Sequence, residues 1–244
     1  MSDVTQVRYN ARTHVGLKRA VNEDSLLALP EQKIWVVSDG MGGHAAGDYA
    51  SQLITGLIAT IDPDLPAAET MHALRGAIQT AHGVILKEAQ ARQVEVIGAT
   101  VACLVLANSH FVGIWAGDSR AYLLRDGRLR QLTRDHTVVQ GLIDSGVLDT
   151  KASAHHPEAH VVTRAVGGAD EVEPDLTTVL LTPGDRILLC SDGLTACVAD
   201  QEICDVLGDG QTPDDACQAL IRKALENGAP DNVSAISVFF TDDL

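Results

Sequence analysis

Two short apolar runs of this chain end in the same tripeptide. Ile34-Trp35-Val36-Val37 leads into Ser38-Asp39-Gly40, and Ile187-Leu188-Leu189-Cys190 leads into Ser191-Asp192-Gly193. Short aliphatic and β-branched runs closed by a turn signal read as buried strands. Each run therefore delivers one carboxylate at the lip of a sheet, followed by a glycine that lets another atom approach the backbone closely. Asp118, in Ala116-Gly117-Asp118-Ser119, and Asp231, in Ala229-Pro230-Asp231-Asn232 just before a strand starting at Val233, occupy comparable junctions. Aspartates gathered at strand ends repel one another, and a hard divalent cation is the counter-charge that best explains their convergence.

The rest of the chain can supply the core that such a gathering needs. Of its 244 residues 45% are hydrophobic and only 3% aromatic, so the core is aliphatic. The formal net charge of −15 argues against a nucleic-acid partner, because affinity for a phosphate backbone comes mainly from Lys and Arg. Bound cations would still let an acidic protein handle phosphate. No apolar run is long enough to span a membrane. Met1 to Gln6 lacks the pattern of a signal peptide. Cys103, Cys190, Cys197, Cys204 and Cys217 are odd in number, form no C-x-x-C pair and mostly fall in apolar patterns, so they read as reduced thiols of a cytoplasmic protein. Nothing requires more than a monomer.

Ala50, Leu53, Ile54, Leu57, Ile58 and Ile61 form a helical stripe over residues 45–61, and Met71, Leu74, Ile78, Ala81 and Ile85 form another over 67–91. Between them Asp62-Pro63-Asp64-Leu65-Pro66 is a break. Upstream, Leu26 to Leu29 reads as a strand. From Ala99 to Leu132 the pattern is that of three or four short strands, with Arg125-Asp126-Gly127-Arg128 as a two-residue hairpin turn. A short helix is expected near 137–145, then a surface excursion over 146–170, strands at 175–181 and 185–190, helices at 200–207 and 213–226, and a last strand over 233–241. With no low-complexity linker, and with acids of one set near both ends, residues 1–244 read as a single domain. Its class is α+β with antiparallel sheets.

Oxygen-only sites suit Mg²⁺ or Mn²⁺; no His adjoins the four aspartates, and the one nearby thiol, Cys190, ends an apolar run, which disfavours zinc. Two such ions bridged by a carboxylate form a clamp for in-line displacement at phosphorus and acidify a shared water. Upstream, Arg19 offers a guanidinium that can grip phosphate oxygens bidentately, and Glu23 or Asp24 could add to the metal shell.

At this point the residues match a family. Arg19 with Asn22-Glu23-Asp24-Ser25, Ser38-Asp39-Gly40-Met41-Gly42-Gly43-His44, Gly98-Ala99-Thr100, Gly117-Asp118-Ser119-Arg120, Ser191-Asp192-Gly193-Leu194 and Asp231-Asn232-Val233-Ser234 together resemble the bacterial PP2C-type (PPM) serine/threonine phosphatases. The motifs occur in the family's order over nearly the whole chain. The resemblance implies an α-β-β-α sandwich and a metal-dependent protein phosphatase. Hydroxide bound to a binuclear Mn²⁺ or Mg²⁺ centre would attack phosphoserine or phosphothreonine directly, without a phosphoenzyme. It further implies that Asp39 bridges the ions, that the Gly40 carbonyl serves one of them, and that Asp192 and Asp231 serve the other. The acid matching Glu23 or Asp24 would act through water or from one layer further out. Asp118, with Asp192, would hold a third ion, Arg19 would bind the substrate phosphate, and the 146–170 region would be a flap beside the cleft. The implied partners are phosphorylated substrates of a serine/threonine kinase. Where eukaryotic relatives carry a histidine after the bridging Asp-Gly, this chain has Met41, and His44 follows only where a helix begins, so the general acid is unassigned. His14 stands where bacterial members often carry an acid.

Plainer roles compete with these. Asp39, Asp192 and Asp231 could cap helices or turns, Asp118 could be a tight-turn residue, and Arg19 could be a solvated surface charge or pair structurally with Glu23. His155, His156 and His160 read as a solvated loop, Gly42 and Gly43 as residues of backbone approach, and Ser38 and Ser191 as turn hydroxyls without a triad partner. Two other functions are open at this level: a catalytically silent phosphoprotein-binding module, and a two-metal hydrolase of small phosphate esters or nucleotides.

Overall fold

The computed structural model describes residues 6–42, 46–107, 109–149 and 156–241. Its centre is a pair of antiparallel sheets. One is five-stranded, in the order β1 (Gln6–His14), β11 (Val233–Thr241), β10 (Arg186–Cys190), β7 (Arg120–Arg125), β8 (Arg128–Gln131). The other is six-stranded, in the order β2 (Asp24–Leu29), β3 (Ile34–Met41), β5 (Val101–Ala107), β6 (His110–Ala116), β9 (Asp175–Leu180), with the two-residue β4 (Gly98–Ala99) pairing beside β3.

Strand periodicity explains the layers. Along β3, Trp35 and Val37 point into the space between the sheets, where they meet Ile187, Leu189, Ile236 and Val238. Ile34 and Val36 point the other way, onto α1 (Gly47–Ala59) and α2 (Ala67–Arg92), where Ile54, Ile58, Leu74 and Ile78 cover them. On the far side, Tyr122, Leu188 and Cys190 are covered by Ile203 and Leu207 of α5 (Asp200–Asp209) and by Leu220 of α6 (Pro213–Glu226). The result is the α-β-β-α sandwich. Thr212 caps α6 in a reciprocal box with Asp215, and Pro213 occupies its first turn, so this helix starts where local chemistry says it should.

The two anticipated helical stripes form helices within a residue or two of their expected ends, and α3 (Val138–Asp144) lies where a short helix was expected. Asp126 and Gly127 take φ of 51° and 70°, the two positive values that a tight hairpin turn requires. The expected three or four strands over 99–132 resolve into β4 to β8, because a break at Thr100 separates the short β4 from β5. Two elements go beyond the sequence reading: β1, and the four-residue α4 (Asp192–Thr195) that follows the second Ser-Asp-Gly turn. Of the anticipated excursion, residues 162–168 return to the body of the protein. Bridges pair Thr137 with Val162 and Ala99 with Val166, and Ala165 and Val166 are buried. All five cysteines are free thiols, three of them buried. No helix among the described residues is long and apolar enough to cross a membrane.

Candidate functional site

The ends of β3 and β10 lie side by side across the two sheets, and both glycines of the Ser-Asp-Gly turns are there for want of space. A Cβ on Gly40 would lie 2.1 Å from the Gly47 carbonyl oxygen at the start of α1, and one on Gly193 would lie 1.9 Å from the Asn232 carbonyl oxygen. Neither position admits a side chain. Asp39 is fixed through Thr100: its N–H donates to Thr100 Oγ1 at 3.0 Å, and its carbonyl accepts from Thr100 N–H at 2.8 Å. Asp24, at the start of β2, is the direct ladder partner of Asp39. The Asp24 Oδ2 accepts from Ser191 Oγ at 2.8 Å and from Ser234 Oγ at 2.6 Å, while its Oδ1 is buried with no partner. Ser38 Oγ donates to the Thr100 carbonyl at 2.7 Å. The two serines of the Ser-Asp-Gly motifs are thus fully buried braces.

Five carboxylates come together here. Asp24 and Asp118 are buried, whereas Asp39, Asp192 and Asp231 remain half open to solvent. Burial, then repulsion from Asp24, Asp192, Asp118 and Asp231, holds the Asp39 carboxyl well above the usual carboxylate range. Burial also pushes Asp118 up to about 8, with Asp192 and Asp135 adding to it. Asp24 rises to about 6, chiefly through burial and against the pull of its two serine donors. Asp192 is raised by burial and by Asp231, and a hydrogen bond with Asp39 offsets part of this. Such a set carries more negative charge than its surroundings can stabilise, so cations are its natural complement.

Arg19 and Glu23 belong to the loop between β1 and β2. Arg19 Nη2 donates to Asp231 Oδ2 at 2.7 Å, so its ion-pair partner is a member of the acid set and not Glu23, the partner that the plainer structural alternative named. Glu23 is half-buried, and burial raises its pKa. Asn232 holds this loop in place. Its Nδ2 donates to the carbonyls of Val15 at 2.9 Å and Val21 at 3.0 Å, and its Oδ1 accepts from Glu23 N–H at 2.8 Å.

Asp118 follows Gly117, whose φ of +117° and 2.6 Å clearance from Thr100 exclude a side chain. Ser119 Oγ and Thr100 Oγ1 share a hydrogen bond of 2.7 Å, which ties this turn to the one bearing Asp39. Behind it Arg120 grips Asp135 with both Nε and Nη2, and its Nη1 donates to Tyr122 Oη at 2.9 Å. From the 156–166 segment His160, an exposed imidazole, lies near enough to Asp192 to lower its pKa. His156 Nδ1 accepts from Glu158 N–H, a local turn contact, while His155, His44 and Gly43 lie outside the described residues.

The structure therefore brings Asp24, Asp39, Asp118, Asp192 and Asp231 into one electrostatic cluster, with Gly40, Glu23 and Arg19 at its edge. The donors are all oxygens, which fits Mn²⁺ or Mg²⁺, and the orphaned Asp24 Oδ1 is a further acceptor aimed at no protein group. Among the described residues no three acid, His or Cys side chains already close around a single point. Arg19 occupies Asp231 instead. The sequence reading passed over the bracing roles of Thr100, Asn232, Ser191 and Ser234. Their motifs were visible, but their partners lie up to 217 residues away.

Comparison with known proteins points the same way. Residues 14–231 match the family model of protein phosphatase 2C. Over 240 residues the chain is 40% identical to the serine/threonine protein phosphatase PstP of Mycobacterium tuberculosis, covering 97% of this chain but only 46% of that protein. The catalytic domain of PstP, solved in complex with two manganese ions, superposes with a TM-score of 0.86 at 40% identity, covering 97% of this chain and 99% of that one. PppA, described as a key regulatory component of T6SS in Pseudomonas aeruginosa, superposes with a TM-score of 0.91, also at 40% identity, covering 98% and 99% of the two chains. Motif order, sandwich architecture and the acid cluster between the sheets agree with these matches: the chain belongs to the protein phosphatase 2C family.

Proposed function

We propose that this protein is a metal-dependent phosphatase that removes phosphate from phosphoserine and phosphothreonine in proteins, its residues 1–244 acting as one catalytic unit. The observation that carries the reading is the gathering of the half-buried Asp39, Asp192 and Asp231 into one electrostatic cluster, with the Arg19 guanidinium on Asp231. Asp39 would hold both Mn²⁺ or Mg²⁺ ions, the Gly40 carbonyl would serve one of them, and Asp192 and Asp231 the other. Asp118 would serve a third ion with Asp192, while Asp24 and Glu23 would act through water or on the ligands themselves. The ions supply activation of solvent and neutralisation of charge on the phosphoryl oxygens.

The protein's own part is orientation and exclusion. Arg19 swings from Asp231 to the phosphoryl oxygens, a short step for a long and half-exposed side chain. Thr100 and Asn232 keep the two acid-bearing turns and the Arg19 loop at a fixed separation. The fully buried, hydrogen-bonded hydroxyls of Ser38 and Ser191 cannot reach a substrate, which supports attack by water over a phosphoserine intermediate. The net charge argues against nucleic-acid partners, and membership of the phosphatase family supports phosphorylated proteins as the substrates. The free, mostly buried thiols suit a reducing compartment such as the cytoplasm.

The test is turnover of p-nitrophenyl phosphate with Mn²⁺, with and without chelator, followed by phosphopeptides and nucleotides under the same conditions. Mn²⁺-dependent turnover that favours phosphopeptides is expected. Absence of turnover would point to a silent binding module, and turnover confined to nucleotides to a small-ester hydrolase. In the same assay Arg19→Ala should raise KM for a phosphopeptide about tenfold and leave kcat within about threefold, since the guanidinium binds ground state and transition state alike.

A further inference from the structure

His136 is held on three sides, and one of them is the Asp118 turn. Its Nδ1 accepts from Gly117 N–H at 3.1 Å, and its own N–H donates to the Gly117 carbonyl at 3.0 Å, so the backbone of the turn is clamped reciprocally. A nitrogen that accepts from an amide bears no proton, so the ring proton is on Nε2, which lies 3.2 Å from Asp175 Oδ2. Arg164 Nη1 anchors the other oxygen of Asp175 at 2.5 Å. The ring face stacks on Trp115 with 6.1 Å between centroids and 10° between planes. Opposite the clamp, Gly117 is wedged against Thr100, the residue that also carries the Asp39 backbone.

Two side-chain ties hold the turn from opposite sides, the Ser119–Thr100 hydroxyl bond and the His136 ring. Gly117 has a backbone conformation that only glycine adopts with ease, and the chain there bends away from β6 toward β7. With a hydrogen bond lost on the His136 side, Gly117 can pivot away from Thr100 and carry Asp118 with it.

We infer that His136 is a positioning residue: by accepting the Gly117 amide through Nδ1 it holds the turn from which Asp118 reaches the acid cluster, and Asp175 fixes the ring tautomer that makes this acceptance possible. The assignment rests on the proposed metal role of Asp118 only for its effect on metal, since the clamp itself stands on the geometry.

Two substitutions separate this role from simple packing. In His136→Asn the amide oxygen takes the place of Nδ1 and can still accept from Gly117. In His136→Gln the amide nitrogen can still reach Asp175, but nothing accepts from Gly117. Calorimetric titration with Mn²⁺, using Asp118→Asn to identify the ion that depends on that carboxylate, should show this ion bound about tenfold more weakly in His136→Gln and within about twofold of wild type in His136→Asn. Amide hydrogen exchange at Gly117, read without metal, should quicken about tenfold in the glutamine variant alone. Wild-type behaviour in His136→Gln, or equal damage in both variants, would overturn the assignment. Should His136→Gln not fold, scalar coupling across the hydrogen bond between the Gly117 amide and His136 Nδ1 in ¹⁵N-labelled wild type decides, and its absence refutes the clamp. If Asp118→Asn loses no ion, the metal reading of Asp118 fails, while the exchange measurement still tests His136.

Discussion

Asp39→Asn should abolish Mn²⁺-dependent turnover, lowering kcat by at least about 10³-fold, the scale on which removal of a key electrostatic group acts. The side chain keeps its shape, but one oxygen becomes a donor and the charge that would bind two cations is gone. The fold has no reason to suffer. The contacts that position this residue run through its backbone to Thr100 and Asp24, and they survive the change. Its carboxyl is moreover the one most burdened by neighbours, with burial and four other acids raising its pKa. In chelator the variant should therefore melt at or above the wild-type temperature. Retention of more than a tenth of wild-type kcat would contradict the bridging role, and a large loss of Tm would show that Asp39 is a structural residue instead.

The second large effect concerns pH. Carboxyls whose folded pKa lies above the unfolded value contribute their stability at low pH, where both states are protonated, and lose it as pH rises through the folded pKa. Burial places Asp24 at about 6 and Asp118 at about 8. In chelator the cluster should thus erode stability progressively from about pH 4 to about pH 8, by a few kcal/mol in total. Asp118→Asn should flatten the upper part of this decline. Bound cations favour the deprotonated carboxylates, so the stabilisation conferred by Mn²⁺ should grow over the same window. Thermal melts at pH 5, 6, 7 and 8, with and without Mn²⁺, check both slopes. A metal-free stability that rises from pH 5 to 8, with no change in Asp118→Asn, would mean that these acids are not mutually strained.

The acids that set the pH dependence are also the ones that stand out in the sequence, because they sit at strand ends. Strands β3 and β10 were legible because four-residue aliphatic runs cannot be surface loops, and each is stopped by Ser-Asp-Gly. The helices over 47–59 and 67–92 were legible because their apolar stripes recur at helical spacing across a Pro-containing break. Strand β1 was not. Gln6-Val7-Arg8-Tyr9-Asn10-Ala11-Arg12-Thr13-His14 does alternate, with Val7 and Ala11 packed on the core between the sheets and Tyr9 edge-on to Trp35. Its apolar face is only three side chains long, however, and what fixes it as an edge strand is pairing along its whole length with β11, more than 200 residues away. Helix α4 is a single turn, too short for any periodicity to register. At the site, the acids could be named because Asp-Gly and Asp-Asn junctions are visible locally. Their braces could not, since what Thr100, Ser191, Ser234 or Asn232 touches depends on how the sheets stack. Arg19 was singled out for its chemistry, but its pairing with Asp231 is a tertiary fact.

The central claim is that acids far apart in the chain form one cradle for a pair of divalent cations. Crystals grown in Mn²⁺ and measured at the manganese absorption edge test it without reference to any substrate. The account predicts two anomalous peaks about 3.5–4 Å apart, bounded by Asp39, Asp192 and Asp231, with Arg19 no longer on Asp231. No peak among these side chains at saturating Mn²⁺, or peaks only at other surface acids, would contradict it.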